Sequence, residues 1–95
     1  MNDRIYTSFK THFGDVFHGY CPSSQQCLKY LTLHCTDGPA IIEANGNFVW
    51  YVDTIGYADV YDWAEAALKY LGNKKPTQDE IEDKVRSALA SMILN

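Results

Sequence analysis

Residues 40–53 read Ala-Ile-Ile-Glu-Ala-Asn-Gly-Asn-Phe-Val-Trp-Tyr-Val-Asp, and this stretch decides the fold class of the chain. Two runs of apolar, β-branched and aromatic residues flank Asn45 and Gly46, a pair that readily adopts the positive φ angles of a two-residue type I′ turn. The pattern therefore predicts a β-hairpin. With Asn45 and Gly46 as the loop, Ile41 lies opposite Trp50, and both faces of the ribbon are partly apolar.

The segments on either side of the hairpin predict an α+β fold. Before it, apolar and polar residues alternate over residues 30–35, as in a half-buried strand. After it, apolar stripes at helical spacing predict two helices, over about residues 59–71 and 78–93. The sheet is then a three-stranded antiparallel meander over about residues 30–35, 40–44 and 47–53.

The N-terminal segment can be interpreted in two ways. Ile5, Phe9 and Phe13 recur every four residues and Gly14 offers a C-terminal stop, which favours a short amphipathic helix over residues 3–13. The alternative is a hairpin that turns at Gly14 into a second strand over residues 16–21. We favour the helix, which gives one domain over residues 1–95 with an N-terminal helix, the meander and two C-terminal helices.

Charge is distributed unevenly along the chain, whose formal net charge is −4. No Lys or Arg occurs between Lys29 and Lys69, a stretch that contains six carboxylates. A protein that binds nucleic acid directly normally shows a basic patch instead, so we expect a basic protein surface as the partner and no direct nucleic-acid contact. The predicted contact residues are the six carboxylates and one aromatic residue of the hairpin: Asp37, Glu43, Trp50, Asp53, Asp59, Asp62 and Glu65. The alternative is a solvated acidic face that serves solubility.

Cysteine and histidine residues allow a second hypothesis, a zinc-stabilised domain. The residues available for it are His18, Cys21, Cys27, His34 and Cys35. Their spacing is looser than the paired knuckles of structural zinc sites, and Cys35 on the apolar side of its strand suits a small core residue equally well. We therefore predict no cofactor and no bound metal, and free thiols in a cytoplasmic protein without an export signal or membrane span. No spacing orients a base toward a nucleophile, so we predict no enzymatic activity.

Residues 30–66 resemble part of the small phage-encoded anti-CRISPR proteins that inhibit type I-F surveillance complexes. The resemblance consists of a strand, an acidic turn, a hairpin ending in Asp53, and the run Tyr57-Ala58-Asp59 followed by Trp63 in an acidic helix. In one member of that family the Tyr-Ala-Asp run continues directly into Trp, whereas residues 60–62 intervene here. The resemblance implies a DNA mimic whose carboxylates occupy a basic groove that otherwise holds target DNA.

The sequence thus predicts a non-enzymatic acidic binding or inhibitor protein. Its expected partner is a basic, nucleic-acid-binding surface, with a type I-F CRISPR effector complex as the specific case. The alternatives are the zinc-stabilised domain and an adaptor or oligomerisation module that uses an aromatic face of the sheet.

Overall fold

A computed structural model describes residues 4–25 and 27–94, which form an antiparallel sheet of six strands and two helices. The elements are β1 (Arg4–Lys10), β2 (Val16–Pro22), β3 (Thr32–Leu33), β4 (Ile41–Ile42), β5 (Phe48–Val52), β6 (Ile55–Tyr57), α1 (Val60–Tyr70) and α2 (Gln78–Leu94). The α+β class is as expected, but the predicted arrangement of three strands and three helices is wrong. The spatial order is β1-β2-β4-β5-β6, with β3 bonded to β2.

The N-terminal helix predicted over residues 3–13 is instead the first strand of a hairpin; its first residue, Asp3, lies outside the described residues. β1 pairs with β2 over its full length, with Tyr6 opposite Tyr20 and Ser8 opposite His18. The chain reverses through Gly14, whose φ of 96° suits glycine. The alternation of Ile5, Thr7 and Phe9 with Tyr6 and Ser8 is a strand pattern that competes with the helical spacing of the same apolar residues.

The meander is also displaced along the chain from its predicted position. Strands β4, β5 and β6 form it, whereas β3 pairs with β2 at Gly19 and Tyr20. β4 pairs with β2 at Val16 and Phe17. A side chain at Gly19 would place its Cβ 2.0 Å from the Thr32 carbonyl oxygen, so glycine permits β3 to approach β2 this closely.

The β4–β5 hairpin exists, but its predicted register is wrong by one residue. Ile41 pairs with Val49 instead of Trp50, and the Glu43 N–H donates to the Asn47 carbonyl at 2.8 Å. The loop therefore has three residues and ends at Gly46, whose φ is 95°, the left-handed position of a three-residue loop with a bulge.

The two-residue hairpin turn lies one strand later than predicted, between β5 and β6. Val52 pairs with Ile55, and the two intervening residues, Asp53 and Thr54, have φ angles of 48° and 71°. Positive φ at both central positions is the signature of a type I′ turn, although neither residue is Asn or Gly. β6 thus extends the sheet beyond Asp53, where the predicted meander ended.

The core forms where the helices meet β5. Trp50 and Val52 pack against Trp63 and Ala67 of α1, and Val85 and Ala88 of α2 close the cluster. Both C-terminal helices are confirmed nearly at their predicted bounds. Trp63 is fully buried, and its indole N–H donates to the Cys35 carbonyl at 3.1 Å, which ties α1 to the loop after β3.

The other face of the sheet carries a row of apolar side chains, Phe9, Phe17, Ile41 and Val49, which we call the apolar row. Successive members are direct partners across β1, β2, β4 and β5, so their side chains share one face. Each is partly exposed. Both helices lie on the opposite face, because α1 packs on Trp50 and α2 places Met92 in the same cleft as Phe48.

Candidate functional site

Three of the six predicted carboxylates belong to α1 or to its N-cap. Asp59 is the N-cap residue, and its Oδ1 accepts the Tyr61 N–H at 2.8 Å. Asp62 is exposed in the first turn, whereas Glu65 pairs with Lys69 at 3.1 Å. Among the residues that the structure describes, neither Asp59 nor Asp62 forms an ion pair. The first turn of α1 thus brings together two of the predicted carboxylates that have no ion pair among the described residues.

The other three carboxylates lie at separate places. Asp37, with a side chain 92% exposed, is 3.9 Å from Lys84 of α2. Glu43 precedes the β4–β5 loop and is half-buried. Asp53 lies in the β5–β6 turn, close enough to Tyr70 to help raise the pKa of that phenol, after burial and a hydrogen bond to Tyr20. Tyr70 ends α1, so Asp53 and Asp59 lie near opposite ends of a helix about 16 Å long.

Trp50 belongs to the core and not to a contact surface. Its side chain is 8% exposed, and its ring centroid is 4.6 Å from that of Trp63. It lies on the helix side of β5, together with Val52. Trp50 is therefore not available for contact with a partner, contrary to the prediction. The exposed aromatic residue nearest in sequence to the α1 carboxylates is Tyr61, 48% exposed.

The five residues of the alternative zinc hypothesis do not converge. Cys21 and Cys35 are buried free thiols, and Cys27 is exposed. Within residues 4–25 and 27–94, no group of three or more His, Cys, Asp or Glu side chains is arranged to hold a metal ion. His18 and His34 instead make the separate contacts described next.

His34 is a buried polar centre. Its Nδ1 accepts the Asp53 N–H at 2.9 Å, and its ring contacts those of Tyr20 and Tyr70 at centroid distances of 5.1 and 4.5 Å. The side chain is 2% exposed. Burial lowers the pKa of His34, an effect that Asp53 opposes and Arg4 reinforces. The imidazole is therefore neutral at pH 7, as its acceptor role requires.

His18 contributes to a cleft between the helix side of the sheet and the C-terminal part of α2. The cleft has a volume of about 520 Å³. Ser8 Oγ lies 2.6 Å from His18 Nδ1 within it, and burial lowers the pKa of the imidazole. The predicted N-terminal helix would have separated these two residues. The alternative interpretation, a hairpin that turns at Gly14, could have predicted this contact, because its two strands place Ser8 opposite His18.

Comparisons with known proteins add no identification. The sequence matches no protein-family model, and it matches neither a curated protein nor a solved structure. Among the described residues, none of the helices has the length and apolar character needed to cross a membrane.

Proposed function

We propose that this is a non-enzymatic binding protein that presents the first turn of α1 to a basic protein surface. The observation that carries the proposal is the exposure of Asp59 and Asp62, which form no ion pair within the described part of the chain, beside the exposed Tyr61. Carboxylates compete with phosphates for Lys and Arg through charge-assisted hydrogen bonds. An aromatic residue next to them is typical of the centre of a protein interface.

A surface that normally binds nucleic acid is the class of partner that suits these carboxylates. The resemblance of residues 30–66 to DNA-mimicking anti-CRISPR proteins makes a type I-F CRISPR surveillance complex the first partner to test. The first turn of α1 would then occupy a groove that otherwise receives target DNA. Glu65 contributes less charge to this surface, because Lys69 neutralises it.

The competing explanation is structural, because acidic residues in the first turn also stabilise a helix through its dipole. Asp59 in addition caps α1, so a substitution that removes its oxygen would weaken the fold as well as the surface. Asp59→Asn keeps the capping oxygen and removes the charge. Asp62→Lys reverses the charge at the position that makes no capping bond.

The test is binding of the Asp59→Asn/Asp62→Lys variant to a purified type I-F surveillance complex, measured by biolayer interferometry at low and high salt. We expect the wild-type affinity to fall as salt rises and the variant to bind at least about tenfold more weakly. The matched control is Asp79→Lys, an exposed acidic residue in the first turn of α2. Salt-insensitive binding, or equal weakening by Asp79→Lys, would contradict the proposed surface.

The apolar row supports a second candidate function, self-association or adaptor binding through the sheet. Its four side chains share a face on the side of the sheet opposite α1 and α2, and all are partly exposed. Contiguous apolar surface of this kind is typical of protein interfaces.

A further inference from the structure

The cleft beneath the C-terminal part of α2 has features of a small-molecule site. Its volume of about 520 Å³ falls within the range of ligand pockets. Ile42 and Phe48 form an apolar wall on the sheet, and Met92 faces them from α2. Phe48 is 42% exposed, so an aromatic surface is available at the wall. No residue of α1 is among those lining the cleft, so this site is independent of the surface proposed above.

The polar end of the cleft is the Ser8–His18 pair. The 2.6 Å contact between Ser8 Oγ and His18 Nδ1 fixes both side chains on neighbouring strands. In either tautomer of the neutral imidazole, the Ser8 oxygen retains a lone pair for a ligand donor. Apolar walls with a few convergent polar groups are the usual composition of a ligand site, in which the polar groups fix orientation.

The charge of the lining restricts the ligand further. Among the described residues that line the cleft, Asp37 alone carries a carboxylate, and Lys84, which lies 3.9 Å from it, is not part of the lining. Within the part of the chain that the structure describes, no Lys or Arg lines the cleft. An anion would therefore meet the Asp37 carboxylate, which Lys84 only partly offsets from outside the lining, and would find no cation among the described lining residues to bind it.

We propose that this cleft binds a flat, apolar, uncharged or cationic small molecule that donates a hydrogen bond to Ser8. The apolar rings lie between Phe48 and Met92, and the donor group points toward the Ser8–His18 pair. Asp37 at the rim favours a positive charge over a negative one.

The probe for this site is 1-aminoanthracene, which is uncharged, aromatic and a hydrogen-bond donor, and whose fluorescence increases in apolar surroundings. We expect saturable binding, and about tenfold weaker binding of anthracene-1-carboxylate, which has similar rings but a negative charge. Ser8→Ala should weaken 1-aminoanthracene binding about fivefold through loss of the acceptor. Thr7→Ala, one residue away on the opposite face of β1, should leave it unchanged.

The position of the probe is tested with the two adjacent isoleucines of β4, because Ile42 lines the cleft and Ile41 belongs to the apolar row. Ring currents should shift the Ile42 methyl resonance and leave that of Ile41 in place. Phe48→Ala should weaken binding about tenfold, and Ile55→Ala, at an exposed strand position outside the cleft, should not. Absence of saturable binding, equal affinity for the carboxylate, or a shift at Ile41 alone would each overturn the proposal.

Discussion

At the scale of single residues, His34 connects β2, β3 and the β5–β6 turn. Its backbone N–H donates to the His18 carbonyl at 3.1 Å, and its Nδ1 accepts from Asp53 at 2.9 Å. The turn that it holds places Thr54 at a φ of 71°, a conformation that is unfavourable for a β-branched residue. A second bond, from the Thr54 N–H to the Leu33 carbonyl at 2.9 Å, helps to fix the turn. The turn therefore depends on neighbouring segments more than on its own residues.

This arrangement predicts that the protein loses stability in mild acid. Burial lowers the folded-state pKa of both His34 and His18, so the unfolded chain binds more protons below its own histidine pKa of about 6.5. The stabilising contribution is complete above that pH and is lost as the pH falls through the folded-state pKa. We expect the midpoint of urea unfolding to decrease between about pH 7.5 and about pH 5. Protonation of His34 also removes the acceptor for the Asp53 N–H.

The variant that isolates His34 is His34→Asn, which keeps an acceptor but cannot ionise. It should be less stable than the wild type at neutral pH, because packing against the tyrosine rings is lost, and its stability should depend less on pH. His12→Asn, at an exposed loop position, is the control and should retain the wild-type pH dependence. An unchanged pH dependence in His34→Asn would show that His34 does not contribute to acid destabilisation.

At the scale of elements, α1 is attached to the sheet chiefly by Trp63. Its ring packs on Trp50, and its indole N–H bonds to the Cys35 carbonyl in the loop after β3. We expect Trp63→Ala to lower the free energy of unfolding by about 3–5 kcal/mol, because it leaves a cavity and an unsatisfied carbonyl. Tyr61→Ala, which removes an exposed ring from the same helix, should cost less than about 1 kcal/mol in the same urea unfolding measurement. Equal losses of unfolding free energy in the two variants would show that Trp63 is not the main attachment of α1 to the sheet.

The elements that sequence patterns predict well are those with one buried face. The stripe through Trp63 and Ala67 and the one through Val85 and Ala88 specify α1 and α2, because only a helix places such residues on one side. β1 is an edge strand with Ile5 and Phe9 on one face and Tyr6 on the other, so its apolar spacing fits a helix as well. β6 was missed because Asp53 and Thr54 adopt positive φ through tertiary hydrogen bonds that no local pattern reveals.

At the scale of the whole molecule, sequence neighbours and spatial neighbours differ most at the candidate sites. The stretch between Lys29 and Lys69 contains no Lys or Arg, but its carboxylates do not form one surface: folding leaves Asp59 and Asp62 together and carries Asp37 toward α2. The Ser8–His18 pair depends on the pairing of two strands, and the cleft around it needs α2, some 70 residues later in the chain. Such sites follow from topology, which composition and spacing do not determine.

The two-layer arrangement, with both helices on one side, leaves the apolar row as the surface most suited to a second copy of the chain. If it mediates self-association, the weight-average mass in sedimentation equilibrium should rise over an about hundredfold range of protein concentration. Phe9→Lys places a charge at the edge of the row and should suppress the increase. Ile55→Lys, at a 59% exposed strand position on the helix side of the sheet, should not. A monomer mass that stays constant with concentration would show that the apolar row does not mediate self-association. If Ile55→Lys suppressed the increase in mass as much as Phe9→Lys does, the interface would not be the apolar row.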